Sequence, residues 1–156
     1  MNPVRVATVL THRRPDETAE SIGLLLGIAR EMGVVLRFDP QETEKHRLAP
    51  AEGLELGAAI ELGADLCFAI GGDGTILTAL RTYAGTGVPV FGVNFGEIGF
   101  LATVDRGEAE MGFRRAFAGE FDVLALPGIH VSGQNGRWLA MNDVSMHRQP
   151  GKRVAD

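Results

Sequence analysis

Leu66-Cys67-Phe68-Ala69-Ile70-Gly71-Gly72-Asp73-Gly74-Thr75-Ile76-Leu77 is the stretch on which the reading of the fold turns. Leu66 to Ile70 are apolar without alternation, the habit of a strand buried on both faces, which is how strands of a parallel sheet read. Gly71 to Thr75 follow at once, and Ile76, Leu77, Leu80, Tyr83 and Ala84 then recur at helical spacing, so a helix is expected from about Ile76. A strand, a glycine turn and a helix in this order place backbone N–H groups at a helix amino terminus, where the partial positive charge favours phosphate. Asp73 is the odd member, because a carboxylate beside bound phosphates is repelled unless it holds a metal, takes a proton or binds a sugar hydroxyl. An Asp-Gly turn with Asp73 as helix cap would explain that pair alone. The three glycines between a buried strand and a helix favour a nucleotide loop.

Upstream, Val4 to Leu10 reads as a strand, and Ala19, Ile22, Leu25, Leu26, Ala29 and Met32 mark a helix that Gly33 ends. Val34 to Phe38 gives a second strand. Pro40 to Pro50 is polar and charged and reads as an exposed loop, and Glu52 to Leu62 as a weak helix interrupted by glycines. Downstream, Val88 to Val93 reads as a strand, and Ala109, Phe113, Ala116 and Phe117 fall on one face of a helix. The alternation predicts an α/β fold: a Rossmann-like, doubly wound, mostly parallel sheet with ligands at the carboxyl ends of its strands. Near residue 121 the pattern changes. Phe121 to Ser132 looks extended, Asn135-Gly136 is a hairpin signal, and Arg137 to His147 looks extended again. The expected organisation is a nucleotide-binding domain over residues 1–120 and the beginning of an incomplete, sandwich-type β domain over 121–156.

Composition narrows the partners. A hydrophobic fraction of 45% supplies a globular core, and 21 glycines without a collagen period imply many tight turns. With 15 basic and 20 acidic residues the formal charge is −5, which gives no electrostatic reason to expect nucleic acid or an anionic membrane as partner. A polyanionic ligand must therefore be held locally. Cys67 is the only cysteine, so no intramolecular disulfide forms, and a reducing compartment suits the chain. The apolar run around Ile22 to Ala29 is too short to cross a bilayer and no secretory signal opens the chain, so a cytoplasmic location is expected.

Two further segments carry chemistry. Gly92-Val93-Asn94-Phe95-Gly96-Glu97-Ile98-Gly99-Phe100-Leu101 leaves the strand next in sequence, so in a doubly wound sheet it would share a crevice with the Asp73 loop. Phe100 would there offer a face to a base, with packing under the loop the equal alternative. Asn142-Asp143 pairs an amide with a carboxylate, suited to ribose hydroxyls or to a turn at a strand end. The loop is neither the lysine-containing phosphate loop nor the dinucleotide fingerprint, which would need a small residue where Leu77 stands. The four histidines show no paired metal-ligand spacing.

Taken together these segments resemble the NAD kinase family, in its Gly-Gly-Asp-Gly-Thr loop at Gly71 to Thr75, its Asn-x-Gly-x-x-Gly-Phe-Leu turn at Asn94 to Leu101, and its Asn-Glu pair at Asn142 and Asp143. The first motif is shared with diacylglycerol- and sphingosine-type lipid kinases; the second is more specific to NAD kinases. The resemblance implies transfer of the γ-phosphate of ATP, or a phosphate of polyphosphate, to the 2′-hydroxyl of the adenosine ribose of NAD. It implies Asp73 as the catalytic base, with Gly72, Gly74 and Thr75 holding phosphates and Gly71, Asn94 and Gly99 among the nucleotide- and NAD-binding residues. Phe100 would lie near adenine and Asn142 with Asp143 on adenosine and ribose, while Mg2+ or another divalent ion would neutralise the transferred group, with no side chain assigned as its ligand. Asp143 departs from the usual glutamate by one methylene. The family's Thr-Gly-Ser-Thr-Ala-Tyr segment is absent, so a fragment, a truncated form or a degenerate paralogue is the expectation, and whether the chain turns over by itself stays open. A homo-oligomer is expected from the edges that an unfinished sheet exposes. The rival readings are a non-catalytic nucleotide-binding module and a lipid kinase, and the latter's Pro-x-Gly-Thr-x-Asn-Asp arrangement is missing.

Overall fold

The computed structural model describes residues 2–60, 63–94, 101–133 and 136–141. The chain divides into two compact units, residues 1–124 and 125–156.

In the first unit the chain runs β1 (Val6–Thr11), α1 (Ala19–Met32), β2 (Val35–Phe38), α2 (Pro40–Lys45), β3 (Leu54–Leu56), β4 (Leu66–Gly71), α3 (Asp73–Thr82), β5 (Val90–Asn94), β6 (Val104–Asp105) and α4 (Ala109–Phe117). The six strands form one sheet in the order β3-β2-β1-β4-β5-β6, every pair parallel. This is the doubly wound order expected of a dinucleotide-type fold. The unbroken apolar run of β4 explains itself in this setting. Leu66, Phe68 and Ile70 pack into the larger core with residues of α1 and α4, while Cys67 and Ala69 pack with Ile76, Ala79 and Tyr83 of the α3 side. Phe68 anchors the first face edge-on to Phe91, Phe113 and Phe117, at centroid separations of 5.6, 5.3 and 5.2 Å, the T-shaped geometry that aromatic pairs prefer. Helix α1 ends as expected: Gly33 takes a left-handed conformation (φ 68°) that a side chain would strain, and its N–H closes onto Ala29 and Arg30.

Three expectations fail. Pro40 to Lys45 is a helix and not an exposed loop: Asp39 caps it by accepting from the Glu42 N–H at 2.8 Å, and Glu42 is buried. The helix expected over Glu52 to Leu62 gives way, where it is described, to the edge strand β3, flanked by Gly53 and Gly57 with φ of 78° and 63°. Two left-handed glycines so close together stop a helix from continuing and bend the chain in and out of a short strand. Helix α3 begins at Asp73, three residues earlier than its apolar spacing suggests, because the polar first turn carries no periodic signal. The two-residue strand β6 has no counterpart in the sequence reading.

The second unit contains an antiparallel hairpin of β7 (Ile129–Gly133) and β8 (Gly136–Ala140). Gly136 pairs with Gly133 as the first residue of β8, so it belongs to the strand and not to the turn expected at Asn135-Gly136. Asn135 and the remainder of the extended segment expected to His147, beyond Met141, lie outside the described residues.

Candidate functional site

From β1 the chain crosses outward to β2 and from β4 outward to β5, so the two crossovers lead away from each other and leave a crevice at the carboxyl ends of β1 and β4. Ligands of open α/β sheets bind at such a switch point. A cavity of about 590 Å³ occupies it. One wall is the exit of β1, including Thr11, His12 and Arg13. Another is α2, with Glu42 and Lys45, and a third is the loop and first turns of α3, including Gly72, Gly74 and Thr75.

The three loop glycines differ in what requires them. A Cβ on Gly71 would lie 2.5 Å from Thr75 Oγ1, 2.9 Å from Thr75 Cβ and 3.2 Å from His12 Cβ, so this glycine is demanded by packing. A Cβ on Gly72 or Gly74 would meet nothing within 4 Å, and neither residue has a left-handed φ. The fold makes no demand for glycine at these two positions, and both open onto the cavity. Gly72 is the N-cap of α3 and supplies no side chain to cap it. Its carbonyl accepts from the N–H groups of Thr75 and Ile76 at 2.9 and 3.2 Å, so any amide offered to a ligand comes from earlier in the turn than Thr75. Asp73 opens α3 with its side chain turned toward the β5 side, where Oδ1 accepts from the Leu101 N–H at 3.4 Å.

The second segment meets the first through strand register. Asn94 lies beside Gly71 where β5 pairs with β4, and it is buried. Gly92, two residues earlier, leaves room for Ile76: a Cβ there would stand 2.8 Å from Ile76 Cδ1. Thus Gly71, Gly72, Asp73, Gly74, Thr75 and Asn94 converge at the carboxyl ends of β4 and β5. Gly99, Phe100, Asn142 and Asp143 lie outside the described residues.

Sequence reasoning missed the α2 wall. Buried Glu42 accepts from the Thr11 N–H (3.1 Å) and hydroxyl (2.6 Å) and from Lys45 Nζ (2.6 Å), and His46 Nε2 lies 2.7 Å from the Thr11 hydroxyl. Burial pushes the Glu42 carboxyl up, but the hydrogen bonds from His46, Lys45 and Thr11 together outweigh it and hold it below the ordinary carboxylate value. The cluster fastens α2 to the end of β1. Its signal was present: Asp39-Pro40-Gln41-Glu42 has an N-cap aspartate, proline at the first helical position and glutamate at the third.

Residues 11–121 match the sequence model of the ATP-NAD kinase N-terminal domain. An NAD kinase of Nitratidesulfovibrio vulgaris is 32% identical over 162 residues, covering 99% of this chain and 50% of the relative. One of Thermobifida fusca is 31% identical over 166 residues, covering 97% of this chain and 51% of its own length. One of Gemmatimonas aurantiaca is 38% identical over 90 residues, 54% of this chain and 31% of the relative. The chain thus spans about half or less of the length of these relatives. Among solved structures, yeast NADH kinase complexed with NADH matches 91% of this chain and 45% of its own, with a TM-score of 0.69 and 21% identity, a likeness of fold. With the family match running through the glycine loop and every strand of the sheet from β2 to β6, the chain belongs to the NAD kinase family.

Proposed function

We propose that this chain carries the phosphoryl-transfer loop of an NAD kinase, which moves the γ-phosphate of ATP, or a phosphate of polyphosphate, to the 2′-hydroxyl of the adenosine ribose of NAD. The observation that carries the proposal is the pair of glycines, Gly72 and Gly74, that open onto the switch-point crevice where the fold does not require glycine. Omission of a side chain there lets phosphate oxygens approach the backbone at the α3 amino terminus. Asp73 stands between them. In the proposed step its carboxylate takes the proton of the 2′-hydroxyl as that oxygen bonds to the γ-phosphorus, and the bond from the γ-phosphorus to the bridging oxygen breaks to release ADP. Buried Asn94, beside Gly71, would fix the acceptor side of the crevice, with Gly99, Phe100, Asn142 and Asp143 completing the adenosine site. The NADH held by the yeast relative supports a dinucleotide in this fold.

Magnesium, on this reading, arrives on the donor phosphates and neutralises their charge. Among the described residues no group of three His, Cys, Asp or Glu side chains is placed to hold an ion. Among them, too, no helix is long and apolar enough to cross a membrane; a cytoplasmic location is part of the proposal, supported by the single free Cys67, which suits a reducing compartment. Self-association through the second unit belongs to the same proposal, since Leu126, Ile129 and Trp138 are exposed there. Light scattering across a wide concentration range checks it, and a strict monomer contradicts it.

The test of the activity is NADP formation from NAD, ATP and magnesium, in the chain and in Asp73→Asn. Turnover lowered in the variant by about 10² to 10⁴ is the expected result. Equal turnover contradicts the assignment of Asp73. Saturable binding of NAD and ATP without NADP replaces the kinase with a binding module.

A further inference from the structure

The kinase reading gives work to the α3 wall of the crevice and none to the facing wall at the exit of β1. Arg13 stands on that wall, lines the cavity, is exposed, and makes no ion pair among the described residues. Its neighbours are both committed: His12 Nδ1 and Arg14 Nη1 lie 3.0 and 2.9 Å from the Glu17 carboxylate. The backbone under Arg13 is fixed by the Thr11 N–H on Glu42 and by the His12 N–H on the Ile70 carbonyl at 2.9 Å. Lys45 also lines the cavity, but its ammonium already meets three acceptors, Glu42 Oε1, Thr11 O and Thr11 Oγ1, which account for its three N–H groups. The two carboxylates on the wall are likewise engaged, Asp39 as the cap of α2 and Glu42 under Thr11 and Lys45. Arg13 is thus a cation with donors to spare, on a backbone held at the two residues before it.

The opposite side of the crevice settles which substrate it would meet. The Asp73 carboxylate turns to the β5 side, toward the Leu101 N–H, so on the kinase reading a hydroxyl held by Asp73 would lie on that side and the phosphates behind the reacting one would extend toward β1. We infer that Arg13 binds the donor phosphates that are not transferred, across the crevice from Gly72 and Gly74. It thereby selects donors with a chain of phosphates over a single phosphoryl group. The planar guanidinium suits this because it meets two phosphate oxygens at once. The inference rests on the kinase reading for the word donor, and on the geometry alone for the phosphate site.

Calorimetric binding of inorganic tripolyphosphate to the chain tests it. The wild-type chain should bind saturably, Arg13→Ala should weaken binding roughly ten- to a hundredfold, and Arg13→Lys should recover part of the loss. Arg81→Ala, which removes the same charge from the exposed last turn of α3, should bind as wild type, and NAD affinity should be unchanged in Arg13→Ala. Wild-type affinity in Arg13→Ala overturns the inference, as does an equal loss in Arg81→Ala or a wild-type chain that does not bind. If Arg13→Ala binds as wild type while NADP formation still depends on Asp73, the inference fails and the kinase reading stands. Arg13-dependent binding without NADP formation keeps the phosphate site and sinks the kinase.

Discussion

Gly71→Ala and Gly74→Ala add the same methyl group three residues apart, and the structure assigns them opposite consequences. At Gly71 the new Cβ would lie 2.5 Å from Thr75 Oγ1 and 2.9 Å from Thr75 Cβ. Rotating the Thr75 side chain moves the hydroxyl but not Cβ, which is fixed to the helix backbone, and His12 Cβ at 3.2 Å blocks retreat in the other direction. Either β4 or the first turn of α3 must shift, and overpacking of this kind costs about 1 to 3 kcal/mol. At Gly74 the Cβ meets nothing within 4 Å and the residue is already helical, so alanine should leave stability unchanged or raise it by about 0.4 to 1 kcal/mol. The ligand should register the reverse, because the Gly74 methyl stands in the crevice. Urea unfolding followed by circular dichroism at 222 nm reports the first unit, which holds every described helix, and calorimetry with ATP reports the crevice. The reasoning is refuted if Gly71→Ala unfolds at the wild-type midpoint, or if Gly74→Ala binds ATP with wild-type affinity.

Other consequences follow from buried groups. The Glu42 carboxyl is held below its ordinary value in the folded chain, so its contribution to stability is full above the unfolded value of 4.5 and is lost as pH falls through the lower, folded one. Glu42→Gln should flatten the acid limb of a stability-against-pH curve below about pH 4.5, and an unchanged limb would contradict the assignment; Glu42→Ala, which strands Lys45, should cost roughly 3 kcal/mol at neutral pH in urea unfolding. Burial pushes the Cys67 thiol up to about 12, so a thiol-specific disulfide reagent at pH 8 should label it only as fast as the fold opens. Rapid labelling of the native chain would mean that the α3 face of the sheet is not closed.

How much of this was legible in the sequence depended on what each element buries. Strand β4 and helices α1 and α4 announce themselves through apolar residues: a continuous run at Leu66 to Ile70, and helical spacing from Ile22 to Ala29 and at Phe113 and Phe117. Helix α2 buries a carboxylate in place of an apolar stripe, so hydropathy misread it and only its capping residues betray it. Strand β3 is a three-residue edge whose glycines resemble interruptions of a helix until their positive φ is seen. The site divides along the same line. Gly71 to Thr75 and Asn94 were legible because each sits at the end of a strong strand, and the register of β4 with β5 then joins them. Thr11, Arg13, Glu42 and Lys45 come together only through the placement of β1 between β2 and β4, which no local pattern encodes.

The central claim is that nucleotide phosphates sit at the amino terminus of α3, in the switch-point crevice. Amide chemical shifts of the isotopically labelled chain during titration with ATP and then NAD test it most directly. The account predicts saturable shifts at Gly72, Asp73, Gly74 and Arg13 with ATP, and at Asn94 and Leu101 with NAD, with Arg47 to Leu54 unmoved. Saturable shifts confined to residues away from the ends of β1, β4 and β5, or none at all, would contradict it.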